Sequence, residues 1–207
     1  MEFESANPSV VKSIKQRDLL NAWLRAVRKP KSLPVIQDYR PEGIADELTD
    51  MMGFDVDGNG DDARFLITQE GSRLTATYGS EHIEPAQRTN RYLDDAIGLY
   101  RYALVVPSYR ACLARQRPTY SIATVQDSDG KEVSYERLLL PFGSADHVEQ
   151  IVGSCKAISI EGGFKITNLM GIKPRTPPVH IVKAVIDRDI VRGPMGHRAT
   201  NDVIELS

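Results

Sequence analysis

Between residues 119 and 160 the hydrophobic positions come in short runs separated by turn chemistry. Thr119–Gln126 reads as a strand, and Asp127-Ser128-Asp129-Gly130 follows with the residue types that tolerate a tight turn. Residues 133–141 read as the returning strand, with Leu138-Leu139-Leu140 at its apolar end. A polar crossing over 143–149 leads to a third strand over 150–160. Strand, turn, strand, loop, strand predicts an antiparallel meander. A meander buries a face only when something packs on it, and the helical patterns upstream are the expected cover.

The first of these begins at Ser13-Ile14-Lys15-Gln16, which has the spacing of a capping box. Leu19, Leu20, Trp23, Leu24 and Val27 then recur at helical spacing among basic residues, and Pro30 stops the run. Residues 1–9 are expected to form a loose leader. Residues 32–40 read as extended, and Pro41 suits a first helical position. Ile44, Ala45, Leu48, Met51 and Met52 mark a helical face that ends at Gly53, after which Phe54-Asp55-Val56 opens a strand. A short strand over 64–69 carries Phe65 and Ile67 on one face. One or two helical turns are expected over 72–78. The strongest helical stripe runs over 90–106, with Tyr92, Leu93, Ala96, Ile97, Leu99, Tyr100, Ala103, Leu104 and Val106. Pro107 is expected to break or kink it, with a second helical segment over 109–117.

Composition narrows the class. The 207 residues suffice for one substantial domain. The 26 basic and 28 acidic residues nearly cancel, which gives no reason to expect a nucleic-acid partner. Two cysteines, Cys112 and Cys155, are too few for a disulfide framework and read as small core residues. The opening MEFESANPS is polar and acidic, and no run approaches the ~18 apolar residues of a membrane span. The expectation is a cytoplasmic protein without a signal peptide or membrane partner.

Chemistry-bearing motifs are sparse. Asp55, Asp57, Asn59 and Gly60 fall on the early positions of a calcium loop, but the closing position is Leu66 where a glutamate is required. A polar hairpin turn is the simpler expectation. The histidines at 82, 147, 180 and 197 do not pair at zinc-ligand spacing. No glycine-rich phosphate loop or nucleophile elbow is present. Asp94 and Asp95 are adjacent on a helix, so they form no dyad by themselves. The expectation is therefore a non-enzyme, with no cofactor and no metal.

The order of elements resembles the PAS sensory-domain superfamily: two short strands, several helices, then a three-stranded meander. More narrowly, residues from Trp23 to Ile160 are similar to the PAS-like family of alphaproteobacteria. The matching features are Trp23, Leu33-Pro34, the segment 41–52, Phe65, Gly71-Ser72-Arg73-Leu74, Tyr78-Gly79 and Glu136-Arg137-Leu138-Leu139-Leu140-Pro141. Family members usually carry more small or charged residues after the Leu-Pro strand and a clear glycine-containing turn before the last strand; here that turn is Gly143-Ser144-Ala145-Asp146-His147. The resemblance implies an α+β fold, a PAS-like antiparallel sheet covered by helices. Residues 1–31 would be a leader with an amphipathic helix, 32–160 the domain and 161–207 a C-terminal extension, in which 179–185 could lie along a sheet edge.

The resemblance further implies a sensory or protein-interaction role in bacterial signalling or regulation. The alternatives are a small enzyme on a related fold and an adaptor without a pocket. No haem-histidine or flavin-cysteine motif of the PAS branches is present. A homodimer through the N-terminal helix is expected, since its apolar face needs a partner surface, although the helix folding back on its own sheet would also satisfy it. A regulatory protein and a small apolar metabolite are the other expected partners. Tyr78, Tyr100 and Tyr135 are the candidate pocket residues, each an apolar ring with one hydroxyl, and Arg73 would add charge at the rim.

Overall fold

The computed structural model describes residues 2–29, 32–74, 89–126, 132–144, 147–159 and 178–187. Strand β1 spans Glu4–Ala6, helix α1 Ile14–Ala26, strands β2 and β3 Met51–Asp57 and Arg64–Glu70, and helix α2 Leu93–Arg115. The remaining strands are β4 (Thr119–Gln126), β5 (Glu132–Ser144), β6 (His147–Ser159) and β7 (Val179–Ile186). The strands form one seven-stranded sheet in the order β1-β7-β4-β5-β6-β2-β3. Every pairing is antiparallel except β1 with β7. The fold is thus α+β, with a largely antiparallel sheet packed against helices.

The expected meander is present as β4, β5 and β6, and the hairpin around 58–60 joins β2 to β3. Both faces of the sheet are covered. On the inner face, Phe54, Phe65, Ile67, Leu139 and Ile151 meet Leu93, Ile97, Val105, Tyr109 and Cys112 of α2. The Tyr109 ring stands edge-on to Phe54, 5.1 Å between centroids, and tilts onto Phe65. On the outer face, Met51, Tyr120, Leu138, Leu140 and Phe142 meet Leu19, Leu20, Ala22 and Trp23 of α1. Successive strand residues point to opposite faces. Leu139 therefore goes inward and Leu138 and Leu140 outward, and all three are buried only because both faces are roofed.

The stripe on α1 is satisfied by the chain's own sheet. Trp23 donates its indole N–H to the Pro141 carbonyl at 2.7 Å. Gln16, fully buried, donates to the carbonyls of Ser154 at 3.0 Å and Glu136 at 3.4 Å. Only half of the expected capping box forms. Ser13 Oγ accepts from the Gln16 backbone N–H, while the Ser13 N–H goes to Glu136 Oε2 at 3.1 Å. The strand supplies the carboxylate because Gln16 is occupied with the sheet. Pro30 lies outside the described residues; α1 already ends at Ala26.

Three expectations about elements are corrected. Residues 41–52 form two 3-10 turns, Ile44–Asp46 and Leu48–Asp50, rather than a helix. Gly43, at φ 62, turns the chain into the first, and Met51 and Met52 then go to opposite faces of β2. The long helix breaks at Gly98 (φ 76, ψ 155) instead of at Pro107, and runs on to Arg115. That break rotates the buried side, so Leu99 is 80% exposed and Tyr100 48% exposed despite their place in the apparent stripe. Pro107 is tolerated on the solvent side of α2, where the exposed Ala103 lies one turn back. The supposed leader contributes β1. The expectation that 179–185 lies along a sheet edge holds: Val179–Ile186 pairs along β4 at the meander's edge, and β1 then pairs with it.

Candidate ligand site on the inner face of the sheet

The inner face changes character along the strands. Under α2 it is apolar. Farther from α2, the register brings polar and small side chains together in two cross-strand rows. Lys183, Ser121, Arg137 and Cys155 are paired in one row on β7, β4, β5 and β6. His180, Ala123, Tyr135 and Ala157 form the next. The inner orientation follows from alternation with Leu139 and Cys155, both in the α2-facing core. A register shift between Ile122 and Ala123 sets His180 opposite Ala123 and leaves Ile181 56% exposed. A bulge of this kind re-aims a side chain. Beyond Tyr135 the face closes on buried Val125 and Val133.

Electrostatics ties the rows together. Burial pulls the His180 imidazole down to about 4, and the positive charges of Lys183 and Arg137 push it the same way. The buried Nδ1 of His180 has no hydrogen-bond partner among the described residues. Burial pushes the Cys155 thiol up, Arg137 beside it acts in the opposite sense, and the Asp50 carboxylate adds to the upward push. No carboxylate is paired within either row, and Asp50 acts on the first row at its Cys155 end. The inner-face Glu70 belongs to the far edge strand β3. Among the described residues no group of three histidine, cysteine, aspartate or glutamate side chains is arranged to hold a metal ion.

The expected site residues separate. Tyr135 lies on the inner face within the second row. Tyr100 follows the Gly98 break and is half-exposed. Arg73 is bound by Asp50, Nη1 to Oδ2 at 2.6 Å. Asp50 and Glu47 also face Lys156, at 3.9 and 2.7 Å, so Arg73 belongs to a charge network that ties the 3-10 turns to β6. Burial raises the Asp50 carboxyl above the ordinary range, and the two cations oppose that rise. Tyr78 lies outside the described residues. His180 and Lys183 are not legible as site residues, because nothing local in the sequence shows that β7 lies beside β4; Arg137 shares the face of Tyr135 by simple alternation along β5.

Other motifs have structural work. Asp94 and Asp95 both meet Arg64, at 2.9 and 3.1 Å, and Arg64 stacks 3.7 Å above the Tyr92 ring. Tyr92 in turn donates to Asp57 at 2.8 Å. The acidic side chains of the β2–β3 hairpin are dispersed: Asp55 accepts from Gln150 at 2.9 Å, and Asp61 is engaged by Arg110. An open groove of about 600 Å³ lies between this hairpin, α2 and His147.

No helix among the described residues is long and apolar enough to cross a membrane. No family model matches the chain, and no curated protein is significantly similar to it.

Proposed function

We propose that this chain is a non-enzymatic sensory or protein-interaction domain of PAS type, holding a small ligand on the inner face of its sheet and acting through a regulatory partner or a second copy. The observation that carries this is the arrangement of two strands, a helical segment and a meander. Its last strand, β6, lies beside the first strand of the pair, β2, with α2 over one face. That order of elements is the one the family resemblance implies. The polar patch beside the α2-covered core supplies the few oriented polar groups that small-molecule sites use.

Self-association would not use the apolar stripe of α1, which the sheet already covers. A second copy or a regulatory protein would therefore meet another surface, such as the exposed Leu99 and Tyr100 after the Gly98 break.

Native mass spectrometry of the protein isolated from its own host tests both halves. The expected spectrum shows a dimer, or a chain carrying a small adduct that is lost on denaturation. A bare monomer at high micromolar concentration, unchanged on supplying host small-molecule extract, would count against a sensory domain.

A further inference from the structure

We infer that the exposed face of α2 is a two-fold interface with a second copy of this chain, in which Leu99 of each copy enters the groove beside Ala111 and Ala114 of the other. This rests on the reading of the chain as a domain that acts through a second copy, and it adds the surface and its geometry.

The face is exposed and nearly uncharged. After the break at Gly98, the buried side of α2 consists of Arg101, Val105, Ser108, Tyr109 and Cys112. On the other side Ala103, Pro107 and Ala114 are exposed, and Leu99 is 80% exposed. A helix with one buried face ordinarily carries charged residues on the opposite one. Between Leu99 and Ala114 the only charged residues are Arg101, which is buried, and Arg110. Arg110 is drawn to the β2–β3 hairpin, where it donates to the Gly60 and Asp61 carbonyls and pairs with the Asp61 carboxylate. An exposed apolar patch of this kind marks an association surface.

The two halves of the face complement each other in shape and charge. The first half bears the protruding Leu99. The second half borders the groove of about 600 Å³, whose apolar lining includes Val56, Ala111, Leu113 and Ala114. Leu99 and Ala114 lie at equal distances along the helix from the point between Val106 and Pro107, as do Ala103 and Arg110. A two-fold axis through that point runs the helices antiparallel and uses the same patch twice, as an isologous contact requires. It sets Leu99 of each copy on Ala114 of the other, where small side chains leave room for it. The same operation brings the acidic start of α2, Asp94 and Asp95, toward the basic end of the other copy, Arg115 and Arg117. Opposite charges at the two ends favour that direction over the parallel one. A partner of different sequence would have to match this pattern; a second copy matches it by symmetry.

Sedimentation velocity of the full chain from about 1 to 300 µM tests the partner, and cysteine cross-linking tests the register. A dimer is expected with a Kd of about 10 µM. Leu99→Glu puts a charge into the apolar groove and is expected to weaken that dimer about thirtyfold or more. Ile14→Glu, at an exposed apolar residue on α1, should associate as the parent does. Circular dichroism melts establish that each variant is folded. Positions 99 and 114 of one chain are roughly 22 Å apart along the helix, beyond the ~7 Å between Cα atoms that a disulfide spans. Leu99→Cys combined with Ala114→Cys should therefore link two chains on oxidation. Pro107→Cys alone should also do so, beside the axis, and Leu99→Cys alone should not. The native Cys112 and Cys155 are buried and stay silent. These cross-links decide the geometry should Leu99→Glu fail to fold. A dimer that Leu99→Glu leaves intact, or that Leu99→Cys alone cross-links, overturns the interface while self-association stands. A monomer at every concentration also overturns it. If native mass spectrometry shows that monomer carrying a small adduct, the sensory reading survives; a bare monomer overturns both.

Discussion

At the scale of single residues, several side chains do work that their type alone would not announce. Gln16 replaces an apolar residue in the interface of α1 with the sheet and donates to two strand carbonyls. Gln16→Ala strands those acceptors in a buried place and is expected to cost about 1–3 kcal/mol, read as a lowered urea midpoint. Gly98 sits at φ 76 and ψ 155, a region that is essentially glycine-only. Gly98→Ala is expected to destabilise by about 1–3 kcal/mol even though the position is not deeply buried, and an unchanged melting temperature would argue that the break is unimportant. His180 carries a pH dependence of definite sign. Its folded imidazole titrates near 4, below the ordinary value of 6.5, under burial and the facing charges of Lys183 and Arg137. Between those values the unfolded chain binds a proton that the folded chain does not. Stability from this group is therefore complete above pH 6.5 and falls as pH drops toward 4. Chemical denaturation at pH 7 and pH 5 should show a smaller loss for His180→Gln than for the parent; an equal loss would mean that other groups set the slope. Asp50, raised by burial, contributes in the opposite sense to both proteins and cancels from that difference.

At the scale of elements, local periodicity carried far for α1, β3 and the meander. Their patterns are short, uninterrupted and bounded by turn or capping residues. It misled where two periods coincide. Met51 and Met52 complete a plausible helical face with Ile44 and Leu48, yet the same pair reads as consecutive strand residues that feed both cores. Likewise Leu99 and Tyr100 continue a stripe only if the helix is unbroken at Gly98, and a glycine inside a helical pattern does not disclose its φ. The partner of the α1 stripe was a matter of topology. An apolar helix face has the same appearance whether its own sheet or another chain covers it. Because the sheet covers it here, Trp23→Ala is expected to cost about 3–5 kcal/mol from lost burial and the freed Pro141 carbonyl. A chain starting at Ser32 should expose Met51, Leu138, Leu140 and Phe142 and associate or precipitate. A well-behaved, cooperatively folding chain lacking α1 would show that the outer face has another cover.

At the scale of the whole molecule, the decisive pairings are those between distant stretches. β4 pairs with β7 across more than half a hundred residues of chain, and β1 from the opposite end adds to β7 in parallel. No local pattern specifies such a partner or its register, which is why Tyr135 and its strand neighbour Arg137 are legible from the meander while His180 and Lys183 are not. Half of the polar patch on the inner face depends on β7 being where it is, since His180 and Lys183 lie on that strand. The strand also buries Ala184, Val185 and Ile186, each under 5% exposed, and gives β4 its second neighbour. Removing it uncovers a paired edge of the meander, the kind of edge that recruits another strand. A chain ending at residue 160 is therefore expected to lose about 3–6 kcal/mol from Val185 and Ile186 alone. It should also release β1, which among the described residues has no other strand beside it, and self-associate through the exposed β4. Urea denaturation and sedimentation velocity of the shortened and full chains measure the two effects separately. A shortened chain as stable as the full one and monomeric at the same concentration would mean that β7 only borders the sheet, and that any ligand is held by β4, β5 and β6 without it.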